Sequence, residues 1–179
     1  MQYQEVDRVE EAVSELDRFK QAQDSWHAGY AVALAELRAG RKTSHWIWYV
    51  FPQLRGLGRS AMAVRYALAD GDEAAAYLRD PVLAQRLVVA AAAVRGHVAP
   101  GRGSGAPLEV VMGSDIDAVK LVSSMTLFAR VAAQMIAAGD TRSELTDLVA
   151  DAEAILSAAA AQGYERCAHT ERALTESGR

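Results

Sequence analysis

The chain has 179 residues, 51% of them hydrophobic and 23% charged, with 19 basic against 23 acidic side chains and a net charge of −4. That length suits one domain burying roughly 70% of its unfolded surface, and the composition excludes a chain kept disordered by charge. One cysteine, Cys167, excludes an intrachain disulfide framework and a cysteine-rich metal knot, while the acidic balance disfavours nucleic acid or an anionic membrane as the main partner.

The start, MQYQEVDRVEE, is acidic and lacks an apolar signal core. The longest unbroken apolar runs, 46–51 and 87–94, fall far short of the roughly 18 residues of a membrane span. A cytoplasmic location is the expectation. Abundant alanine with few prolines favours helix over strand. Apolar residues recur at helical spacing from Val13, Leu16 and Phe19 through Trp26, Tyr30, Leu34 and Leu37, and Gly40 is placed to stop that helical pair. Ser60 is a cap for a helix carrying Ala63 and Val64, and Asp72 is read as the cap of EAAAYLR. Asp80-Pro81 is a stronger start, because aspartate caps and proline is pre-set for the first helical position. That helix is expected to run to about Val94, before the Gly- and Pro-rich loop 96–107. Ser114 with Asp117 resembles a capping box. It opens a helix near Ile116 that continues or restarts at SSMTLFARVAAQMIAA and closes at Gly139. Thr141 or Ser143 starts the next helix, and Gly163 ends it. The expectation is all-α: a single compact domain over 1–163 of about seven to nine helices, bundle or horseshoe-like, followed by a polar tail, 164–179, that frays.

One segment departs from this pattern. Residues 41–60 read RKTSHWIWYVFPQLRGLGRS and hold two of the three tryptophans, with cationic groups on both sides. Pro52 ends any helix through Trp46–Phe51, and Gly56 and Gly58 permit a tight turn or close approach to a ligand. Trp46 and Trp48 form a stacking platform on this reading, with Lys42, Arg55 and Arg59 as anion donors and Gln53 and Ser60 as orienting groups. The other reading makes the tryptophans core residues and the cations a solvated rim. His45 is the acid–base candidate, since its reference pKa near 6.5 suits proton transfer at neutral pH; otherwise it is a packing or capping residue.

The stretch SHWIWYVFPQLRGLGRSAMAVRYAL, with FKQAQDSW upstream and KLVSSMTLFA downstream, resembles the bacterial domain-of-unknown-function 1810 family. The resemblance covers roughly 19–128. It implies an all-helical bundle or horseshoe and no assigned activity. Asp24, in the matched AQD stretch, is the acid it brings forward. The chain departs from the family at Val122, where a basic residue is common, and in a lengthened loop over 100–107.

In the second strip Lys120, Ser123 and Ser124 lie three and four residues apart and can share a helix face. They serve there as an oxyanion site, or else the serines cap a helix from Met125 and Lys120 is a surface charge. Gly56-x-Gly58 lacks the third glycine and the preceding strand of a dinucleotide fingerprint. Gly101, Gly103 and Gly105 lack a Walker ending, and no GxSxG elbow surrounds any serine. Cys167 with His169 makes two ligands at most, and no sequence feature marks the thiol as a nucleophile. No cofactor or metal is called for. The preferred function is a pocket for a small anionic, nucleotide-like or phosphorylated metabolite, with turnover open, walled by the two strips. The alternative is a helical interaction module using 41–60 as a partner or dimer surface. A homo-oligomer is compatible with either.

Overall fold

The computed structural model describes residues 15–99 and 105–176. Val13 and residues 100–104 of the Gly-rich loop lie outside them. Ten helices are present among the described residues, and no strand. They are α1 (15–23), α2 (Tyr30–Arg38), α3 (Ile47–Val50), α4 (Ala61–Arg65), α5 (Gly71–Arg79), α6 (Pro81–Val98), α7 (Leu108–Met112), α8 (Asp115–Ala137), α9 (Ser143–Ala161) and α10 (Ala168–Glu176).

Local chemistry sets most of these boundaries. Ser60 Oγ accepts from Ala63 N at 3.1 Å, and Asp80 Oδ1 accepts from Val82 N and Leu83 N, both at 3.0 Å, with Pro81 at the first helical position. Ser114 Oγ accepts from Asp117 N at 3.2 Å. At the other end Gly40 takes φ +73° while Gly40 N bonds Leu37 O and Arg41 N bonds Glu36 O, the paired bonds of a Schellman stop. Gly139 and Gly163 close α8 and α9 in the same way.

Several boundaries differ from the sequence reading. The cap of α5 is Asp70, which accepts from Glu73 N at 2.9 Å; Asp72 sits inside the first turn. Helix α6 continues through Gly96 to Val98, because Val94 and Val98 are both core positions. Helix α8 runs unbroken through Ser123 and Ser124, so neither caps a helix. Trp26 lies in the break between α1 and α2, 86% exposed and stacked on His27 with 4.5 Å between ring centres. The segment after Gly163 also differs. Residues 168–176 form α10, held down by Leu174 and by Thr170, both buried.

Helix α8 is the centre of the fold and packs against α9, α7, α5 and α10, while α6 lies against α9 and α2. It is long and apolar enough to cross a bilayer by length and composition, yet 67% of its most apolar window is buried inside the protein. Counting unbroken apolar runs missed it because Ser123, Ser124 and Thr126 interrupt the run. An aromatic chain, Phe19 edge-on to Tyr77 and Tyr77 beside Phe128, ties α1, α5 and α8 together. The segment after Pro52 is fastened separately: Arg55 N bonds Leu68 O and Leu68 N bonds Gln53 O, a single parallel bridge.

Candidate functional site

The turn over 41–46 is organised by one carboxylate. Glu36, on α2, accepts from the backbone N–H and hydroxyl of both Thr43 and Ser44 and from Trp46 Nε1 at 2.8 Å. Burial alone pushes its pKa up, but these donors outweigh burial and bring it down to about 2. Trp46 is consequently part of the core, fully buried, and presents no face for stacking. The platform reading fails for it, because its indole N–H is committed to Glu36.

Lys42 is buried too. Its Nζ lies 2.6 Å from Asp117 Oδ2, donates to Ser44 O at 2.6 Å and stands 5.1 Å from the Trp46 ring centre. The other oxygen of Asp117 takes Lys120 Nζ at 2.8 Å, and Lys120 covers the half-buried Trp48 ring at 4.6 Å. One carboxylate therefore joins two lysines, each over a tryptophan. Burial raises the Asp117 pKa, and the two ammonium groups, Lys120 first, more than reverse it. Gln53 Nε2 closes the group by donating to Lys120 O at 3.2 Å. Lys42, Trp46, Trp48, Gln53 and Lys120 thus do converge, from strips some seventy residues apart. They satisfy one another, and the gap left between Trp48, Gln53 and Lys120 is only about 10 Å³. A water-sized space cannot take a nucleotide.

The remaining sequence candidates are placed as follows. Arg55 and Arg59 are exposed and form no ion pair among the described residues. Ser60 is committed to its cap. His45 is exposed, and its carbonyl accepts from Tyr49 Oη at 3.3 Å. Asp24 is exposed at the end of α1 and pairs with Arg86 at 2.7 Å. Neither His45 nor Asp24 lines the space beside Trp48. Ser123 bonds back to Val119 O at 3.0 Å, and Ser124 Oγ is fully buried with no hydrogen-bond partner among the described residues. Both serines sit mid-helix, where backbone N–H groups are consumed by α8 itself, so they offer no helix-start amides to an anion.

The same seam between the two strips has a second opening. Leu57, at the tip of the RGLG turn, faces Val119, Val122 and Ser123 of α8 across a recess of about 280 Å³, completed by Tyr164 and Cys167. Gly56 makes this turn with φ +98° and lies against the His169 ring, whose Nε2 is 3.0 Å from Arg55 O. Gly58 is needed for close approach, since a Cβ there would sit 2.6 Å from Ala63 Cβ. Cys167 stands at the start of α10, its carbonyl accepting the first helical bond from Glu171 N at 3.0 Å and its own N–H reaching Thr126 Oγ1 at 3.3 Å. Burial raises the thiol's pKa, but the Thr170 hydroxyl, the N–H groups of Thr170 and His169, and the Ser123 hydroxyl together carry it below the ordinary value.

The sequence reading gave Glu36 no particular role, took Asp117 for a first-turn capping acid and set Cys167 aside as ligand and nucleophile. Glu36 had a signal, since a carboxylate near a helix end followed by Thr-Ser can gather their amides. Cys167 had only the helical spacing of the residues after it. A larger cavity, about 510 Å³ between α5, the end of α8 and Leu174, is lined by Asp70, Asp72, Arg79 and Asp140. It contains neither strip, and two of its carboxylates serve structure: Asp70 caps α5, and Asp140 holds the Arg142 guanidinium through three nitrogen–oxygen contacts of 2.7–3.2 Å.

Comparison with known proteins agrees with this fold. The conserved hypothetical protein Rv1873 from Mycobacterium tuberculosis, known from a crystal structure, is similar to the chain with a TM-score of 0.67 and 37% identity, over 90% of this chain and 96% of that one. No curated protein matches. Residues 13–145 match the family described as protein of unknown function, DUF1810. The chain, carrying both strips within that span, belongs to the DUF1810 family.

Proposed function

We propose that the protein binds a small anionic metabolite in the recess between Leu57 and Val119–Ser123. The observation that carries this reading is the meeting of the two strips: Leu57 of the RGLG turn and Val119, Val122 and Ser123 of α8 wall one recess of about 280 Å³. That volume lies at the low end for small-molecule sites and suits a compact metabolite rather than a stacked nucleotide. Arg55 and Arg59 stand two residues to either side of Leu57 in the turn, exposed and without acidic partners among the described residues, and supply the cations of this reading; the recess wall itself carries one charged residue, Glu165.

The test is thermal unfolding with small phosphorylated sugars, small di- and tricarboxylates, and nucleotides. A ligand at about 100 times its Kd stabilises by roughly 2.7 kcal/mol, or about 5–11 °C in a chain of this size. Expected is a rise with a small anion, weakened by Arg59→Ala and lost when Val119→Trp fills the recess. No rise with any small anion, or a rise that survives Val119→Trp, is evidence against the site.

The interaction-module reading draws on different residues from those the sequence offered. Trp46 is buried and Trp48 is covered by Lys120, so the exposed apolar groups near the seam are Ile116 and Val119. Sedimentation of the purified chain, alone and as Ile116→Asp, measures any self-association through them.

A further inference from the structure

We propose that the recess beside Leu57 takes the ammonium end of its ligand, so that the small anion bound there is an amine-bearing one, of the amino-acid type with an aliphatic side chain. This rests on the binding reading above and deepens it, by naming the ligand class and the end that enters. The hydrogen-bonding capacity of the wall carries it. Besides the thiol of Cys167, a weak donor, three polar side chains line the recess: Ser123, Tyr164 and Glu165. Ser123 gives its hydroxyl proton to Val119 O at 3.0 Å. Tyr164 Oη donates to Asp115 Oδ1 at 2.8 Å, and this bond, with burial second, pushes the phenol pKa up to about 12. Glu165 is exposed and forms no ion pair among the described residues. A hydroxyl whose proton is committed still accepts, and an ionised carboxylate only accepts.

The backbone of the wall repeats the pattern. The N–H groups of Gly163, Tyr164 and Cys167 are committed to Ala160 O, Ala159 O and Thr126 Oγ1, and those of Val119, Val122 and Ser123 lie within α8. A carboxylate or phosphate placed inside therefore meets few free donors and one like charge, Glu165.

An ammonium group is the complement of this wall, with three donors and no acceptor. Glu165 neutralises it, and Ser123 Oγ and Tyr164 Oη accept from it. Leu57, Val119 and Val122 give the same recess an apolar side suited to a short branched chain, and about 280 Å³ admits a molecule of valine's size. The acid group of such a ligand is left at the mouth, where Arg55 and Arg59 stand exposed on either side of Leu57 along the chain. Carboxylate on the wall and guanidinium groups in the turn outside it thus set the direction in which a zwitterion enters.

The experiment is titration calorimetry of the full chain at about pH 7 with three probes of one shape: valine, which has both charges, isobutylamine, which has only the amine, and isovalerate, which has only the acid. Expected is that valine binds tightest, that isobutylamine binds measurably, and that isovalerate binds roughly tenfold more weakly than valine or worse. Glu165 is exposed and without a partner, so Glu165→Gln leaves the fold intact; it should weaken valine and isobutylamine by about threefold or more, the modest factor of an exposed charge pair, and leave isovalerate no weaker. Isovalerate binding as tightly as valine, no binding of valine or isobutylamine, or valine and isobutylamine indifferent to Glu165→Gln overturns the proposal. The anion reading is judged separately. It stands, with the ammonium proposal lost, when isovalerate alone binds and Arg59→Ala weakens it. It falls, with the ammonium proposal upheld, when both amines bind, Glu165→Gln weakens both and Arg59→Ala leaves valine unchanged.

Discussion

Lys42 Nζ and Asp117 Oδ2 lie 2.6 Å apart, with 5% and 13% of their side chains exposed, and join the turn before α3 to the first turn of α8. Gly113 makes the contact possible: it has φ +76°, and a Cβ there would sit 2.4 Å from Lys42 O. The backbone of the two segments touches at the same place, Lys42 N bonding Val111 O at 2.8 Å.

Removing the carboxylate leaves the buried ammonium uncompensated. Asp117→Ala is expected to cost about 3–5 kcal/mol, a Tm lower by roughly 6–20 °C. Lys120→Ala removes the more exposed partner of the same carboxylate and should cost about 1 kcal/mol or less. Thermal unfolding of the two variants decides whether Lys42 is the costly member, and equal losses would show that it is not.

Glu36 makes stability pH-dependent. Its folded pKa, about 2, lies below the unfolded value near 4.5, so its contribution is complete above pH 5 and is lost as pH falls toward 2. Asp80 and Asp117 are lowered in the same direction and steepen the same acid limb. The Tm gap between the native chain and Glu36→Gln should therefore be widest above pH 5 and narrow steadily on acidification. A gap that stays constant from pH 6 to pH 3 would show that the five donors do not hold a carboxylate.

Ser124 is the opposite case. Its hydroxyl is fully buried without a partner in the middle of α8, where alanine is also the better helix former. Ser124→Ala is expected to raise stability by about 1 kcal/mol, a Tm higher by roughly 2–4 °C. It should leave small-anion binding unchanged, since Ser124 does not line the recess. A lower Tm for this variant would mean that the hydroxyl has a role the fold alone does not supply.

The places where sequence reading worked and failed divide along one physical line. Ser60, Asp80-Pro81, Ser114, Gly40, Gly139 and Gly163 were legible because a cap or a stop is satisfied within a few residues of itself. Even there, Asp70 rather than Asp72 caps α5, because either acid suits the local pattern and the packing of Ala74, Tyr77 and Leu78 selects the register. The family resemblance was legible for the same reason, as two contiguous strips of residues.

The sequence by itself determined an all-helical chain, most helix ends, and the two strips that carry the family resemblance. Only the tertiary structure decided where those strips lie and what they touch. It buried Trp46 on Glu36, set Lys42 and Lys120 on either side of Asp117, and closed the space beside Trp48. It also folded the chain after Gly163 back so that Cys167 meets Leu57 and Ser123. Burial, ion pairing and the donors around a thiol depend on residues that are far apart along the chain and adjacent only after packing, and no local pattern encodes which of them will meet.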